Sequence, residues 1–218
     1  MNSINTTTKE APERSKSELR TERLIERLLD AATQFFMEKG FDATSIGEIA
    51  KQAHASKETF YRYFPIKEEL FQAVLLRSGK HINDELTSVL LSHDPPGKAL
   101  VAFGELVLSL LLAPEAISLH RILAMEKGRF PEAVKSFHEQ GPARVHAALS
   151  GYIEEQVKKG RLREMNPDVG ARQFFDLVVP EFMFGVNLHS RPAPTKAEMQ
   201  QRVKEAIDCF LHGYGPDH

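Results

Sequence analysis

The sequence contains a single cysteine and lacks a long apolar run. Cys209 alone cannot form a disulfide within the chain, which excludes the disulfide-rich secreted scaffolds. The N-terminal residues have no apolar core of the kind found in signal peptides. The apolar stretch from Leu106 is interrupted by Ser109 and ends at Pro114, well short of a membrane span. We therefore expect a protein of the reducing cytoplasm with no membrane partner.

The common signatures of enzymes and metal sites are also missing. There is no HExxH pair, no paired-cysteine metal motif, no glycine-rich phosphate loop and no GxSxG nucleophile elbow. His120 and His138 stand alone in segments with helical periodicity, where a histidine is more often solvated or part of the core than a ligand. We predict neither catalysis nor a bound cofactor or metal.

The chain has almost no excess of charge of either sign. Its 28 Lys and Arg residues oppose 30 Asp and Glu residues, giving a net charge of -2. Bulk electrostatics therefore do not indicate a nucleic-acid binder, and any contact with DNA must come from a local patch. The 218 residues, 42% hydrophobic and 27% charged, are typical of a globular chain with one large or two small domains.

The N-terminal part of the sequence predicts a polar arm followed by an amphipathic helix. Residues 1–20 are polar and carry charges of both signs, so they have little apolar surface to offset the entropy of ordering. Between Leu24 and Phe36, apolar residues recur at helical spacing, and Gly40 is a typical helix stop. We predict a flexible arm over residues 1–20 and a helix after it.

Two short helices are predicted next. Ser45 and Glu48 form a capping-box pattern that starts a helix reaching about Ala53. After the break at 54–56, Ser56 is a suitable cap for another helix, which Pro65 ends. Such a pair, joined by a three-residue turn and braced by a preceding helix, has the dimensions of a helix-turn-helix.

From Lys67 onward the pattern is helical, with proline and glycine breaks and without alternating β-type runs. This predicts a long connecting helix to about Leu91 and a helical body behind it. The predicted fold is all-α: an arm (1–20), a three-helix domain with the helix-turn-helix (21–66), and a larger helical domain (67–218).

The helix-turn-helix region carries a specific pattern of residues: Phe41-x-x-Thr44-Ser45-Ile46-x-x-Ile49-Ala50-x-x-Ala53, then Ser56-x-x-Thr59-Phe60-Tyr61-x-Tyr63-Phe64-x-x-Lys67-x-x-Leu70. This pattern resembles the DNA-binding signature of the TetR family of transcriptional regulators over residues 22–71. The resemblance implies a homodimer that binds double-stranded operator DNA.

The same resemblance implies a role for each matching position. Thr44 and Ser45 would contact phosphate, as would the hydroxyls of Tyr61 and Tyr63 and the ammonium of Lys67 at the start of the fourth helix. The positions implied to face base edges are Lys57, Glu58, Thr59 and Arg62. Packing remains an alternative role for Tyr61.

Two positions depart from the family pattern. His54 and Ala55 occupy the turn where the family usually has Gly-Val, and histidine is less suited than glycine to a positive φ. Ile66 stands where a small capping residue is common, so the fourth helix is expected to begin with a weak cap.

The C-terminal part resembles, less specifically, the AefR-like branch of TetR regulators, on Leu119 to Glu126, Arg129-Phe130-Pro131 and Gly141-Pro142-Ala143. Arg121 and Glu126 interrupt an otherwise apolar helix, so they are expected either to pair with other charges or to border a ligand cavity. The predicted effector pocket consists of Phe103, Arg121, Met125, Glu126, Phe137 and Phe174.

The last two helices carry apolar faces and resemble the pair that forms the dimer interface in this family. The predicted interface residues are Phe175, Val179, Phe182, Val186, Val203, Ile207 and Phe210. Packing within one chain would produce the same pattern and remains an alternative.

The sequence thus predicts a transcriptional repressor, released from a palindromic operator by a small hydrophobic or amphipathic effector. The alternative is a ligand-independent DNA-binding regulator, or an activator, of the same fold. A regulator without a ligand would have no cavity in its body.

Overall fold

The structure is a computed structural model that describes residues 15–91, 94–179 and 192–215. Over these residues it contains helices and no strand, which confirms the predicted all-α class. The described helices are α1 (Lys16–Ala43), α2 (Ile46–Gln52), α3 (Lys57–Tyr63), α4 (Lys67–Leu90), α5 (Pro96–Leu111), α6 (Pro114–Glu126), α7 (Pro131–Gln140), α8 (Pro142–Lys158), α9 (Pro167–Val178) and α10 (Lys196–Tyr214).

The first helix is longer than the sequence pattern predicts. Ser15 and Glu18 form a capping box, so α1 begins at Lys16 and takes in residues 16–20 of the predicted arm. Residues 1–14 of that arm lie outside the described residues. At Gly40 the backbone leaves the helical conformation, with φ 78° and ψ 175°, before the chain continues to Ala43. The predicted stop is therefore a break near the end of α1.

The N-terminal helices enclose a core rich in phenylalanine. The rings of Phe36 and Phe41 both pack on Phe71 of α4, with centroids 5.4 and 5.2 Å away. The core also takes in buried side chains of the later helices: Leu119, Ile122, Leu123, Phe130, Ala133 and Phe137. It therefore extends beyond the predicted boundary at residue 66 into α4, α6 and α7.

A second core lies in the C-terminal body, between the end of α4 and helices α5, α8, α9 and α10. Its largest fully buried side chains are Phe103, Phe174 and Phe210. Helices α5 and α10 approach closely at Gly104, where an added Cβ would lie 2.9 Å from Val203 Cγ1. The apolar face of α10 is therefore used inside the protomer.

Helix α4 belongs to both cores. Leu70, Phe71, Val74 and Leu75 pack in the N-terminal core, and Leu86 and Leu90 pack in the second one. In between, Gly79 touches the junction of α7 and α8: a Cβ added at Gly141 would lie 3.0 Å from Gly79 Cα. Helix α4 therefore links the two cores through direct contacts.

None of the described helices is by itself long and apolar enough to cross a membrane. Helices α5 and α6 pass that test of length and composition only as a pair, across a 64° bend.

Candidate DNA-binding surface and effector cavity

The helix-turn-helix has the caps that the sequence predicts. Ser45 Oγ accepts a hydrogen bond from the Glu48 amide at 3.2 Å, and the Glu48 carboxylate accepts one from the Ser45 amide at 3.3 Å. Lys39 Nζ lies 2.6 Å from the same carboxylate, and its hydrogen bond is the main cause that lowers the pKa of Glu48. Ser56 Oγ caps α3 by accepting from the Thr59 amide at 3.0 Å. The starting residues of these two short helices are therefore fixed by local hydrogen bonds.

The turn between α2 and α3 requires an unusual backbone conformation at one residue. His54 has a φ of 53°. Within the described residues, 15–91, 94–179 and 192–215, it is the one non-glycine residue with a positive φ. The residue that stands where the family usually has glycine therefore does adopt the left-handed conformation. Histidine adopts this conformation at a modest cost relative to glycine.

Most of the predicted base-reading side chains are exposed on α3. Lys57, Glu58, Tyr61 and Arg62 are open to solvent, while Thr59 and Tyr63 are half-buried. Tyr61 leans edge-on against buried Phe60, with centroids 5.5 Å apart, but remains 49% exposed. About half of Tyr61 is therefore accessible despite its contact with Phe60.

Gly47 brings two predicted DNA contacts together. A Cβ at this position would lie 3.4 Å from Lys57 Nζ and 3.7 Å from Ser45 Oγ. Lys57 Cε would be only 3.0 Å away, so a larger residue here would displace the lysine. The Ser45 hydroxyl and the Lys57 ammonium therefore both lie close to Gly47.

Thr44 does not face the exposed surface. Its side chain is 2% exposed, and its hydroxyl is within hydrogen-bond distance of the Phe35 and Gly40 carbonyls, at 3.0 and 2.7 Å. These carbonyls lie near the end of α1, where the break at Gly40 leaves acceptors without helical partners. The phosphate contact implied for the Thr44 side chain is therefore replaced by a structural role.

Lys67 also has a different role from the one implied by the resemblance. Its ammonium donates to the carbonyls of Phe41, Asp42 and Thr44 at 2.8, 3.3 and 3.0 Å. An ammonium has three protons, so these acceptors occupy all of them. Lys67 ties the start of α4 to the end of α1, and Ile66 provides no side-chain cap, as the sequence predicts.

Sequence reasoning missed one cation on this surface. Lys51 is exposed in the last turn of α2, beside the turn that leads to α3. With Lys57 and Arg62 it gives α2 and α3 three exposed cations, whereas of their two carboxylates Glu48 is paired with Lys39 and Glu58 is exposed. This is the local positive patch that the nearly neutral net charge of the chain does not reveal.

The body contains a cavity of about 610 Å³ between α4, α5, α6, α7, α8 and α9. Its size is in the range of pockets that hold drug-sized ligands. The described residues that line it are Ile82, Leu86, Val107, Leu110, Leu111, His120, Phe137, His138, Pro142, Ala143, Val145, His146, Phe175, Asp176 and Val179. The wall is predominantly apolar, with histidines and one carboxylate as its polar groups.

The polar groups of the cavity differ in their surroundings. Nδ1 of His120 is buried and has no hydrogen-bond partner among the described residues. Burial lowers the pKa of this imidazole, which favours its neutral form. His146 lies 3.5 Å from Asp168 and stacks on Phe175, with ring centroids 6.2 Å apart. His138 and Asp176 are exposed.

Only one residue of the predicted pocket lines this cavity, and that residue is Phe137. Arg121 and Met125 are exposed on α6, Met125 to 80%, and neither they nor Glu126 border the cavity. The reason is that α6 turns Ile122 and Leu123 toward the N-terminal core, which leaves Arg121 and Met125 outside. Phe103 and Phe174 are fully buried in the second core.

The predicted dimer residues also have other neighbours. Val203, Ile207 and Phe210 are at most 3% exposed and pack within the protomer. Phe175 and Val179 line the cavity. The remaining two, Phe182 and Val186, lie outside the described residues. The intrachain alternative therefore holds for the α10 residues.

Arg129, in the connection between α6 and α7, joins the body to the N-terminal domain. Its guanidinium lies 2.6 Å from an oxygen of Asp42 and 3.5 Å from one of Glu68. It also lies over the ring of Phe41, 4.7 Å from its centroid, and Phe130 packs on the same ring at 4.9 Å. A cation and an aromatic ring thus connect the cavity-bearing body to the end of α1.

Comparison with known proteins agrees with this architecture. The family model for bacterial regulatory proteins of the tetR family matches residues 28–74, and that for the C-terminal domain of AefR-like transcriptional repressors matches residues 98–216. The HTH-type transcriptional regulator YvkB of Bacillus subtilis is 26% identical over 191 residues, which are 88% of this chain and 97% of YvkB.

Solved structures give the same result. A TetR-family regulator from Mesorhizobium loti superposes with a TM-score of 0.85 at 28% identity, covering 90% of this chain and 98% of that one. The flavonoid-responsive regulator FrrA superposes with a TM-score of 0.72 at 30% identity, covering 90% and 100%. The chain therefore belongs to the TetR family of transcriptional regulators, which bind DNA and act as dimers.

Proposed function

We propose that this regulator is a repressor that leaves a palindromic operator when a small hydrophobic or amphipathic effector occupies the cavity. The observation that carries the proposal is the contact of the cavity with α4. Ile82 and Leu86 of that helix form part of the wall, and its first residue, Lys67, hydrogen-bonds carbonyls at the end of α1, just before the helix-turn-helix begins. A ligand in the cavity would contact α4 directly and could shift this helix, and with it the helix-turn-helix.

The operator contacts follow from the exposed face of α2 and α3. We assign base edges to Lys57, Glu58, Thr59 and Arg62, and phosphates to Ser45, Tyr61 and Tyr63. A dimer with two-fold symmetry carries two such faces, so the operator is a palindrome with half-sites about one helical turn, or 34–36 Å, apart.

The energy required of the effector is modest. A hundredfold loss of operator affinity corresponds to about 2.7 kcal/mol of difference in effector binding between the two conformations. Burial of a small apolar molecule against a wall of Leu, Val and Phe supplies this amount if only one conformation keeps the cavity open. FrrA, which is 30% identical to this chain, is named as a flavonoid-responsive regulator.

The test compares two tryptophan variants of α8. Ala143 lines the cavity, whereas Ala147 is exposed four residues later on the same helix. Because the chain has no tryptophan, each variant also gains a single fluorescent reporter. The operator is selected from random duplexes, and release is followed by fluorescence anisotropy with a library of neutral aromatic metabolites.

We expect Ala143→Trp to bind the operator within about threefold of the unmodified protein and to lose release by any active compound, because the indole fills the cavity. Ala147→Trp is expected to respond normally. Equal release from both variants would contradict the proposal. If no compound releases the operator complex, the ligand-independent alternative is favoured, and a transcription assay on the selected operator separates repression from activation.

We further propose that dimerisation uses the outward faces of α9 and α10, because their inward faces are committed to the core. A shallow groove between these helices includes the uncharged Gln173, Leu177, Cys209 and Gly213, and the charged Arg163 and Asp176 also line it. The small and uncharged residues at this surface suit the close packing of two copies.

Leu177→Glu is expected to yield monomers in sedimentation velocity at micromolar protein, because it buries two carboxylates across the symmetry axis. Met125→Glu is the matched control, since Met125 is an exposed apolar residue of α6 on another surface. A stable Leu177→Glu dimer would move the interface elsewhere.

A further inference from the structure

The wall of the cavity includes one imidazole, that of His120, that can hydrogen-bond a ligand. Nδ1 of His120 is buried in the wall and unpaired among residues 15–91, 94–179 and 192–215. The pKa lowered by burial keeps the ring neutral, so Nδ1 is either a donor or a lone-pair acceptor. A hydroxyl group can serve both tautomers because it donates and accepts. Because Nδ1 has almost no accessible surface, a ligand in the cavity meets the half-buried ring at its accessible edge, where a neutral imidazole can donate or accept a hydrogen bond.

Beside this atom, the wall provides flat aromatic surfaces. His146 and Phe175 stack with an interplanar angle of 24°, and both line the cavity together with Phe137. Aromatic rings pack well on such surfaces in offset or edge-to-face arrangements. The aliphatic side chains around them, such as Leu86 and Val107, add no polar requirement.

The charges of the wall select against an anionic ligand. The described lining residues include no lysine or arginine, and their one carboxylate is that of Asp176. A fatty acid or an acyl phosphate in this cavity would have no fixed cation to pair with, and an unpaired buried anion is costly. A neutral molecule avoids this cost.

We infer that the effector is a neutral aromatic compound with at least one hydroxyl group, which hydrogen-bonds the His120 imidazole while its rings pack against Phe137, His146 and Phe175. This inference rests on the proposed role of the cavity as the effector site and adds the chemical class of the ligand.

The test uses flavone, a set of monohydroxyflavones that differ in the position of the hydroxyl, and dodecanoate. Binding is measured by calorimetry without DNA, and operator release is measured separately. At least one hydroxyflavone is expected to bind about tenfold or more tightly than flavone, as one hydrogen bond to a buried group provides. Dodecanoate is expected to bind more weakly than that isomer.

The variants identify His120 as the source of this discrimination. In His120→Leu the preference for the hydroxyl is expected to fall to about twofold or less, whereas His120→Gln, which keeps a donor and an acceptor, retains part of it. His138→Leu, at an exposed lining position, should keep the full preference. Circular dichroism melting of each variant verifies the fold, and the Gln variant provides the answer if the Leu variant is unstable.

The outcomes separate the ligand class from the regulatory role. Equal affinity for flavone and every hydroxyflavone, a preference that survives in His120→Leu, or tighter binding of dodecanoate would overturn the inference. Release of the operator by dodecanoate alone would do the same while supporting effector-controlled repression. Selective binding of a hydroxyflavone without operator release supports the ligand class and contradicts the proposed release.

Discussion

Replacing Lys67 by methionine is expected to lower the free energy of unfolding by about 2–3 kcal/mol, because hydrogen bonds to a charged, partly buried group are lost and acceptors remain unpaired. The affected acceptors are the carbonyls of Phe41, Asp42 and Thr44. The ammonium also lies 4.4 Å from the centroid of the Phe41 ring, and this attraction is lost as well. Chemical denaturation followed by circular dichroism measures the effect.

Lys57→Met is the matched control, since it makes the same chemical change at an exposed position on α3. This variant should keep its stability within about 0.5 kcal/mol and lose affinity for DNA, with a salt dependence reduced by about one unit if Lys57 also neutralises a phosphate. The opposite pattern, a stable Lys67→Met with a reduced salt slope, would restore the phosphate contact that the family resemblance implies.

The helix-turn-helix could be predicted from the sequence because the interactions that define it are local. Ser45 and Glu48 are three residues apart, as are Ser56 and Thr59, and each pair forms the predicted cap. The left-handed residue at His54 is likewise a property of a short turn. Such features depend on spacing along the chain and not on the arrangement of distant elements.

The roles of Thr44 and Lys67 could not be predicted in this way. Their partners are carbonyls near the break at Gly40, and for Lys67 those acceptors lie 23 to 26 residues earlier in the chain. A hydroxyl or ammonium that binds phosphate and one that caps a broken helix look the same in the sequence. Only the fold determines which acceptor is within reach.

The cavity and the dimer surface involve a similar ambiguity. An apolar stripe on a helix packs equally well against its own chain or a second copy, and for Val203, Ile207 and Phe210 it is the chain's own core that covers it. On α6, the sequence pattern predicted that the charged residues Arg121 and Glu126 border the cavity, whereas it is the neighbouring His120 that lines it. Rotation of a helix about its axis is set by its tertiary neighbours, which the periodicity alone does not specify.

Arg129→Gln is expected to disconnect the cavity from the DNA-binding domain. His120 and Phe137 line the cavity from α6 and α7, and Arg129 lies in the connection between these helices. Its guanidinium contacts Asp42 and Glu68, so a shift of α6 or α7 is passed to the end of α1 and the start of α4. Without these charge-assisted contacts, the two parts of the molecule move more independently.

We therefore expect this variant to bind the operator without effector within about threefold of the unmodified protein and to bind the effector with unchanged affinity. Effector-induced loss of operator affinity should fall from about a hundredfold to less than tenfold, a decrease of at least about 1.4 kcal/mol in coupling. Lys127→Gln removes the same charge from an exposed position on the same connection and should preserve coupling.

Because coupling is reciprocal, titrating effector into the protein with and without operator must give the same ratio as titrating operator with and without effector. If the effector still releases Arg129→Gln from the operator completely, the effect of ligand binding reaches the helix-turn-helix through α4 alone. The path would then run through Ile82, Leu86 and the close contact at Gly79.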